Sequence, residues 1–252
     1  QLSSGQIRDV NIEDLLGRAP IKLDDQLVRG HFAGARVLVT GAAGSIGSEI
    51  ARQILGMSAD HTVLLDNAES ALYDVEMELR AKGHANFTPV IADVRDLAQM
   101  ERVFARHRPA IVFHAAAYKH VPLMEAQPDQ AVRTNVLGTR IVAGLAISHG
   151  AREFVLISTD KAVNPTSVMG ASKRAAEMVV QTLAQQDGTG PHFITTRFGN
   201  VLGSNGSVIP LFRRQIAAGG PVTVTDPEVT RFFMTIPEAC RLVLEAATMG
   251  NG

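Results

Sequence analysis

Apolar residues fall along this chain in two alternating rhythms. Short unbroken runs at 36–40, 62–66, 87–92, 110–114, 154–158 and 192–197 are rich in Val, Ile, Leu and Phe, the pattern of strands buried on both faces. Between them the spacing widens to three and four residues. Ile50, Ile54 and Leu55 mark a helix over 48–55, and Leu72, Val75, Met77 and Leu79 mark the next. Further helices are expected at 97–106, over a long stretch of about 126–149, at 170–185 and at 237–248. Strand and helix in this alternation predict an α/β fold, a doubly wound parallel sheet with helices on both faces. Two segments stand outside it. Residues 1–34 are polar and weakly periodic, with one helical turn expected at 11–16, and read as a leader. Beyond Arg197, a close succession of Gly203, Gly206, Pro210, Gly219, Gly220, Pro221 and Pro227 predicts a small irregular lobe over the carboxyl ends of the strands.

Composition narrows the class. The 252 residues are 46% hydrophobic and 19% charged, which excludes a disordered chain. The lone Cys240 cannot form an intramolecular disulfide and reads as a small buried hydrophobe. A formal net charge of -1 is a poor match for a phosphate backbone, so nucleic acid is not an expected partner. No apolar run approaches the ~20 residues of a membrane helix and no signal peptide opens the chain, so the sequence reads as a cytoplasmic domain without membrane contact of its own. No His, Cys and Asp cluster has ligand spacing, and no metal is expected. His114 is expected to pack or to bond to backbone, and the methionines to fill the core.

The first strand runs into Gly41-Ala42-Ala43-Gly44-Ser45-Ile46-Gly47 at the start of a helix. In that context Gly41 permits a tight turn, Gly44 lets backbone approach a pyrophosphate, and Gly47 lets helix and sheet pack closely. The helix start, with Ser45 and Ile46, presents N–H groups to the phosphates. The expected fold is thus Rossmann-like, with a dinucleotide-binding domain over 35–198 and a partial substrate lobe over 199–252. Asp66 closes the second strand where a carboxylate bonds an adenosine ribose, followed by Asn67 and Ala68 with no neighbouring Arg or Lys for a 2′-phosphate, which favours NAD. Asp93 and Val94 fit an adenine contact, with an ordinary helix cap as the alternative for Asp93. Ala115, Ala116 and Ala117 place small side chains where backbone passes a cofactor.

The G-x-x-G-x-x-G loop, His114-Ala115-Ala116-Ala117-Tyr118-Lys119-His120-Val121-Pro122, Ser158-Thr159-Asp160-Lys161-Ala162-Val163-Asn164-Pro165, Met169-Gly170-Ala171-Ser172-Lys173 and Arg197-Phe198-Gly199-Asn200-Val201-Leu202-Gly203-Ser204 together resemble the extended short-chain dehydrogenases. More narrowly they resemble the nucleotide-sugar 4,6-dehydratases of bacterial polysaccharide biosynthesis. The segment 7–18 is similar to the piece joining such domains to an N-terminal membrane region. The resemblance therefore implies a cytoplasmic domain of a protein anchored in the bacterial inner membrane, a homo-oligomer, with a lobe that continues further in relatives. One position departs from the general pattern. The Tyr-x-x-x-Lys of these enzymes is reduced to Met169 and Lys173, and a thioether moves no proton at neutral pH.

The resemblance supplies the substitute and the chemistry. The Met-bearing branch is assigned to C6 dehydration of UDP-N-acetylglucosamine with C5 configuration retained, serving capsule or O-antigen assembly. Oxidation at C4 acidifies C5, a base removes the C5 proton, an acid protonates the departing C6 hydroxyl, and hydride returns to C6. Lys161 is the expected base and Asp160 the acid, the first needing a depressed and the second a raised pKa. Thr159 is expected to bond the C4 oxygen and Lys173 the nicotinamide ribose. Lys119 and Met169 are expected beside the sugar, and Asn200, Ser207 and Arg231 at the UDP moiety. Alternatives are a C5-inverting dehydratase or UDP-sugar 4-epimerase on the same scaffold, and a non-catalytic NAD-binding protein.

Overall fold

Runs of Val, Ile, Leu and Phe with no polar interruption need a covering layer on each side. A computed structural model describes residues 25–185, 190–204, 206, 208–224, 226–228 and 230–249 and supplies both layers. Strands β1 (Arg36–Thr40), β2 (His61–Asp66), β3 (Phe87–Ile91), β4 (Ile111–His114), β5 (Glu153–Thr159) and β6 (His192–Phe198) form one parallel sheet in the order β3-β2-β1-β4-β5-β6. Side chains alternate across it. Val37 and Val39 face a layer holding α1 (Asp25–Phe32), α2 (Ser45–Leu55), α3 (Glu69–Ala81) and α10 (Ile236–Thr248), through Phe32, Ile54, Leu72 and Leu244. Leu38 faces α4 (Leu97–His107), α7 (Thr139–Ser148) and α8 (Val168–Ala184), through Phe104, Val142 and Val180. This is the expected Rossmann-like, doubly wound architecture. Its order reverses between β1 and β4, where Thr40 pairs with Leu65 on one side and His114 on the other. The crevice beyond those carboxyl ends is where such a sheet takes its ligand.

Three expectations change. The leader 1–34 contains α1, whose Val28 and Phe32 are fully buried and whose His31 Nε2 lies 2.7 Å from Glu153 Oε2. The turn expected at 11–16 lies outside the described residues. At the other end α10 packs on α1 and α2 with Cys240 and Val243 in the core, so 199–252 is not a separate body throughout. What stands apart is α9 (Val208–Ala217), with no buried residue, and a parallel pair of β7 (Asn200–Leu202) and β8 (Phe233–Thr235). The long helix expected over 126–149 is broken, because Pro128 opens a new helix rather than continuing one. It resolves into α5 (Val121–Ala126), α6 (Pro128–Ala131), a π-helical stretch Val132–Gly138 and α7. Among the described residues no helix is long and apolar enough to cross a membrane.

Candidate active site

The turn after β1 is built on two close approaches. Gly41 sits at φ +68°, and a Cβ there would lie 2.6 Å from Ala116 N. A Cβ on Gly47 would collide with the Gly41 carbonyl, so α2 rests on the turn itself. Gly44 caps α2 with no side chain, leaving the positive end of the helix facing a cleft of about 270 Å³. Ala115 and Ala116 pack against the turn, and with Ala117 they line the same cleft. Ser45 lines a neighbouring depression, and the Ile46 side chain packs on the core, so neither side chain lines the cleft.

Asp66 and Asp93 shape the far end of this cleft. The Asp66 carboxylate accepts from Ala43 N at 2.9 Å and Ala68 N at 3.0 Å, tying the glycine turn to β2 while keeping acceptor capacity for a hydroxyl. Asp93 is paired bidentately with Arg95, Nη2 to Oδ2 at 2.6 Å. Hydrogen bonding from Arg95 holds the Asp93 carboxyl below its ordinary value, against partial burial. Sequence alone suggested no cation at this end; Arg95 lines the cleft, but Asp93 and Gln130 occupy its guanidinium. Asn67 donates to Asp93, and Val94 completes the wall. Thr134, on the π-helical stretch, was not anticipated. Its Oγ1 is buried on the cleft wall with no hydrogen-bond partner among the described residues. Together these features fit a dinucleotide: a bare helix start for phosphates, a carboxylate for a ribose, and an unmet hydroxyl for a polar edge.

At the end of β5 the chain enters a single 3-10 turn, Asp160–Ala162. Lys161 Nζ donates to Asp160 Oδ1 at 3.1 Å and to Asn200 Oδ1 at 3.3 Å, and Thr159 Oγ1 donates to Asp160 Oδ1 at 2.9 Å. The structure therefore gathers Thr159, Asp160, Lys161 and Asn200. The expected tuning of Asp160 is reversed. Partial burial pushes its carboxyl up, but the hydrogen bonds from Lys161 and Thr159 outweigh it and hold the group below its ordinary value. The two side chains form an ion pair and both remain partly open to water.

Lys173, one turn into α8, is buried and donates to Ile157 O at 2.7 Å. Burial pushes its ammonium down to about 8, against the attraction of Glu177. Desolvation also lowers Lys119, on the segment after β4. Glu177 is fully buried and had no place in the sequence reading. It accepts from Ser158 Oγ at 2.6 Å, from Arg197 Nε at 2.8 Å and from Arg174 Nη1 at 3.0 Å, locking β5, β6 and α8 together behind the site. The available signal was its spacing, four residues beyond Lys173 on an apolar helix face. His114 bonds side chains rather than backbone: Thr40 Oγ1 lies 2.7 Å from Nδ1 and Thr139 Oγ1 3.1 Å from Nε2, and burial pushes the imidazole to about 3.

Two expected substrate contacts sit differently. Met169 is 3% exposed and packs with Met124 and Ala131, so it meets protein instead of an open site. Arg231 donates to the Thr230 carbonyl at 2.8 Å, beside the Phe232 carbonyl that accepts from Asn200 N. Ser207 lies outside the described residues.

Known proteins are similar to this chain in sequence and fold. Capsular polysaccharide biosynthesis protein CapD of Staphylococcus aureus is 51% identical over the whole chain, which spans 42% of CapD. A UDP-glucose 4-epimerase of Rickettsia rickettsii is 36% identical over 87% of the chain and 64% of its own length. Among solved structures, Pen from Bacillus thuringiensis superposes with a TM-score of 0.83 at 34% identity, over 88% of this chain and 70% of that one. DesIV of Streptomyces venezuelae, a dTDP-glucose 4,6-dehydratase solved with NAD and TYD bound, does so at 0.76 and 26%, over 85% and 72%. The polysaccharide biosynthesis protein family itself matches residues 37–252, from the first core strand through the last helix, and to that family this chain belongs.

Proposed function

We propose that this chain is the NAD-dependent part of a nucleotide-sugar 4,6-dehydratase that converts UDP-N-acetylglucosamine to its 4-keto-6-deoxy product with C5 configuration retained. The observation that carries the reading is the Asp160–Lys161 pair at the end of β5, beside Lys173 and with a buried Met169 where related enzymes keep a tyrosine. Gly41, Gly44, Asp66, Asp93, Thr134 and Lys173 would hold NAD, which when bound accepts a hydride from C4 and returns one to C6. Thr159 bonds the C4 oxygen, whose hydroxyl proton passes to solvent as the hydride leaves. Lys161 takes the C5 proton and returns one to C5 after Asp160 has protonated the departing C6 hydroxyl. One proton from solvent then restores the pair.

The resting ion pair is the proton tautomer of that working pair. Shifting one proton along the 3.1 Å Lys161–Asp160 hydrogen bond yields neutral amine and neutral acid with no change in total charge. A bound sugar that displaces water disfavours the charged form of both groups and drives this shift. Removal of the C5 proton by Lys161 and donation by Asp160 then restore carboxylate and ammonium. Incubation with UDP-N-acetylglucosamine tests the reading by mass spectrometry: loss of one water is expected, and an unchanged mass with inverted C4 supports the 4-epimerase reading that the rickettsial relative raises. Homo-oligomerisation, and anchoring of a longer protein through the leader, belong to the same reading.

Two predictions arise here. NAD should bind more tightly than NADP in calorimetric titration, because Arg95 is already neutralised by Asp93 and Asp66 repels a 2′-phosphate. Asp66→Ala should weaken NAD and narrow the gap; tighter NADP binding by the parent would refute the assignment. Met169→Leu preserves apolar volume in a packed cluster and should keep turnover within about tenfold, an allowance of ~1.4 kcal/mol on the barrier. A loss of several orders of magnitude would show that the thioether acts in the chemistry.

A further inference from the structure

Helix α8 and the 3-10 turn carry the two lysines of the site, and they touch at Gly170. A Cβ built on Gly170 would lie 3.3 Å from the Lys161 carbonyl carbon and 3.2 Å from Pro165 Cβ, with the Lys161 carbonyl oxygen closer still. The obstacle is backbone, which cannot rotate aside as a side chain would. Relief requires one element to move from the other by on the order of 1 Å, the distance between such a clash and ordinary contact.

The two elements are unequally anchored. Ser167 Oγ caps α8 by accepting from Gly170 N at 3.1 Å, Glu125 accepts from Val168 N at 2.8 Å, and Asn135 Nδ2 donates to Ser172 Oγ at 2.9 Å. Lys173 is tied to the Ile157 carbonyl. The 3-10 turn is held by the buried Ala162, by Val163 N donating to the Asp160 carbonyl at 3.0 Å and by the Lys161–Asn200 hydrogen bond, while the Asp160 and Lys161 side chains remain partly open to water. Displacement would fall on the turn, and so on the pair.

We infer that Gly170 is a positioning residue, whose missing side chain sets Asp160 and Lys161 at their working distance from Lys173. This rests on the proposed role of that pair. A misplacement of about 1 Å in a positioned group costs on the order of 10²-fold in rate.

The test compares Gly170→Ala with Gly144→Ala in the full-length, NAD-loaded protein. Gly144, in the middle of α7, has nothing within 4 Å of a built Cβ and serves as the control. Alanine is the better helix former at both positions, so both variants should stay folded. Gly170→Ala should lower kcat by about 10²-fold while KM, NAD affinity and Tm stay near the parent, and Gly144→Ala should match the parent throughout. A kcat within threefold of the parent overturns the inference. So does a loss that follows weakened NAD binding or a lowered Tm, since that marks a general packing defect. A parent that removes no water from the sugar nucleotide overturns the dehydratase reading instead. The positioning is then read from the ¹⁵N resonance and pH titration of the Lys161 ammonium, which should shift in Gly170→Ala alone; an unchanged titration overturns it.

Discussion

Lys161→Met should lower turnover by about 10²–10⁴-fold, the usual cost of losing a positioned acid or base, while NAD binding changes little. Methionine keeps the length of the stem and removes the ammonium that bonds Asp160 and Asn200. In D2O the parent should place solvent deuterium at C5, because the base exchanges its proton before returning one, whereas the hydrogen leaving C4 should reach C6 undiluted. The variant should lose the C5 label together with turnover. Asp160→Asn should be as slow on the natural sugar but recover on a 6-fluoro analogue, since fluoride needs less help to leave. If Lys161→Met still washes deuterium into C5 at the parent rate, another group is the base, and Lys119, lowered by desolvation on the adjoining segment, is the next to replace.

Glu177→Gln should destabilise the fold by about 3 kcal/mol at pH 7, measured by urea unfolding, as expected for breaking a buried charge network. The amide keeps the volume and can still accept from Ser158, but it cannot hold Arg197 and Arg174 as charge partners. Those two arginines are partly exposed and can rehydrate, which keeps the cost at the low end. The pH dependence follows from the carboxyl being pushed to about 2: burial raises it, and the bonds from Arg197, Ser158 and Arg174 pull it further down. A carboxyl depressed in the native state adds stability above its unfolded value and loses it as pH falls through its folded one. The difference between parent and variant should therefore be full at pH 6 to 7 and shrink steadily below about pH 4.3. A constant difference down to pH 3 would show that lost packing, not charge, is responsible.

Both predictions draw on what was and was not legible in the chain. The six strands were legible because a strand buried on both faces leaves a local apolar run, and their alternation with helices left few topologies. The glycine turn and the place of Asp66 at the end of β2 were legible for the same reason, being set by neighbours in sequence. Helix α1 was not, because its polar composition hides Val28 and Phe32, and its burial depends on α10 and on Glu153 far along the chain. The ionic state of Asp160 was not legible either. It depends on two side-chain hydrogen bonds and on water access, none of which a motif encodes. Arg95 escaped notice because it lies two residues past Asp93 rather than after β2, and only the adjacency of β2 and β3 brings it to the cleft that Asp66 lines.

The two layers also differ in when they can form. The layer around Leu38 and Phe104 draws its buried residues from 38 to 180, a span available well before synthesis reaches α10. The layer around Phe32 and Ile54 needs Cys240, Val243, Leu244 and Ala247 as well, so it waits for α10. Helix α2, whose capping Gly44 lines the cleft, packs directly on α10. A ribosome-bound chain that has emerged only through α8 and β6 should thus protect the amides of β4 and β5 from exchange while α2 remains exchangeable. The turn that lines the cleft is thus secured late, only once α10 has been made.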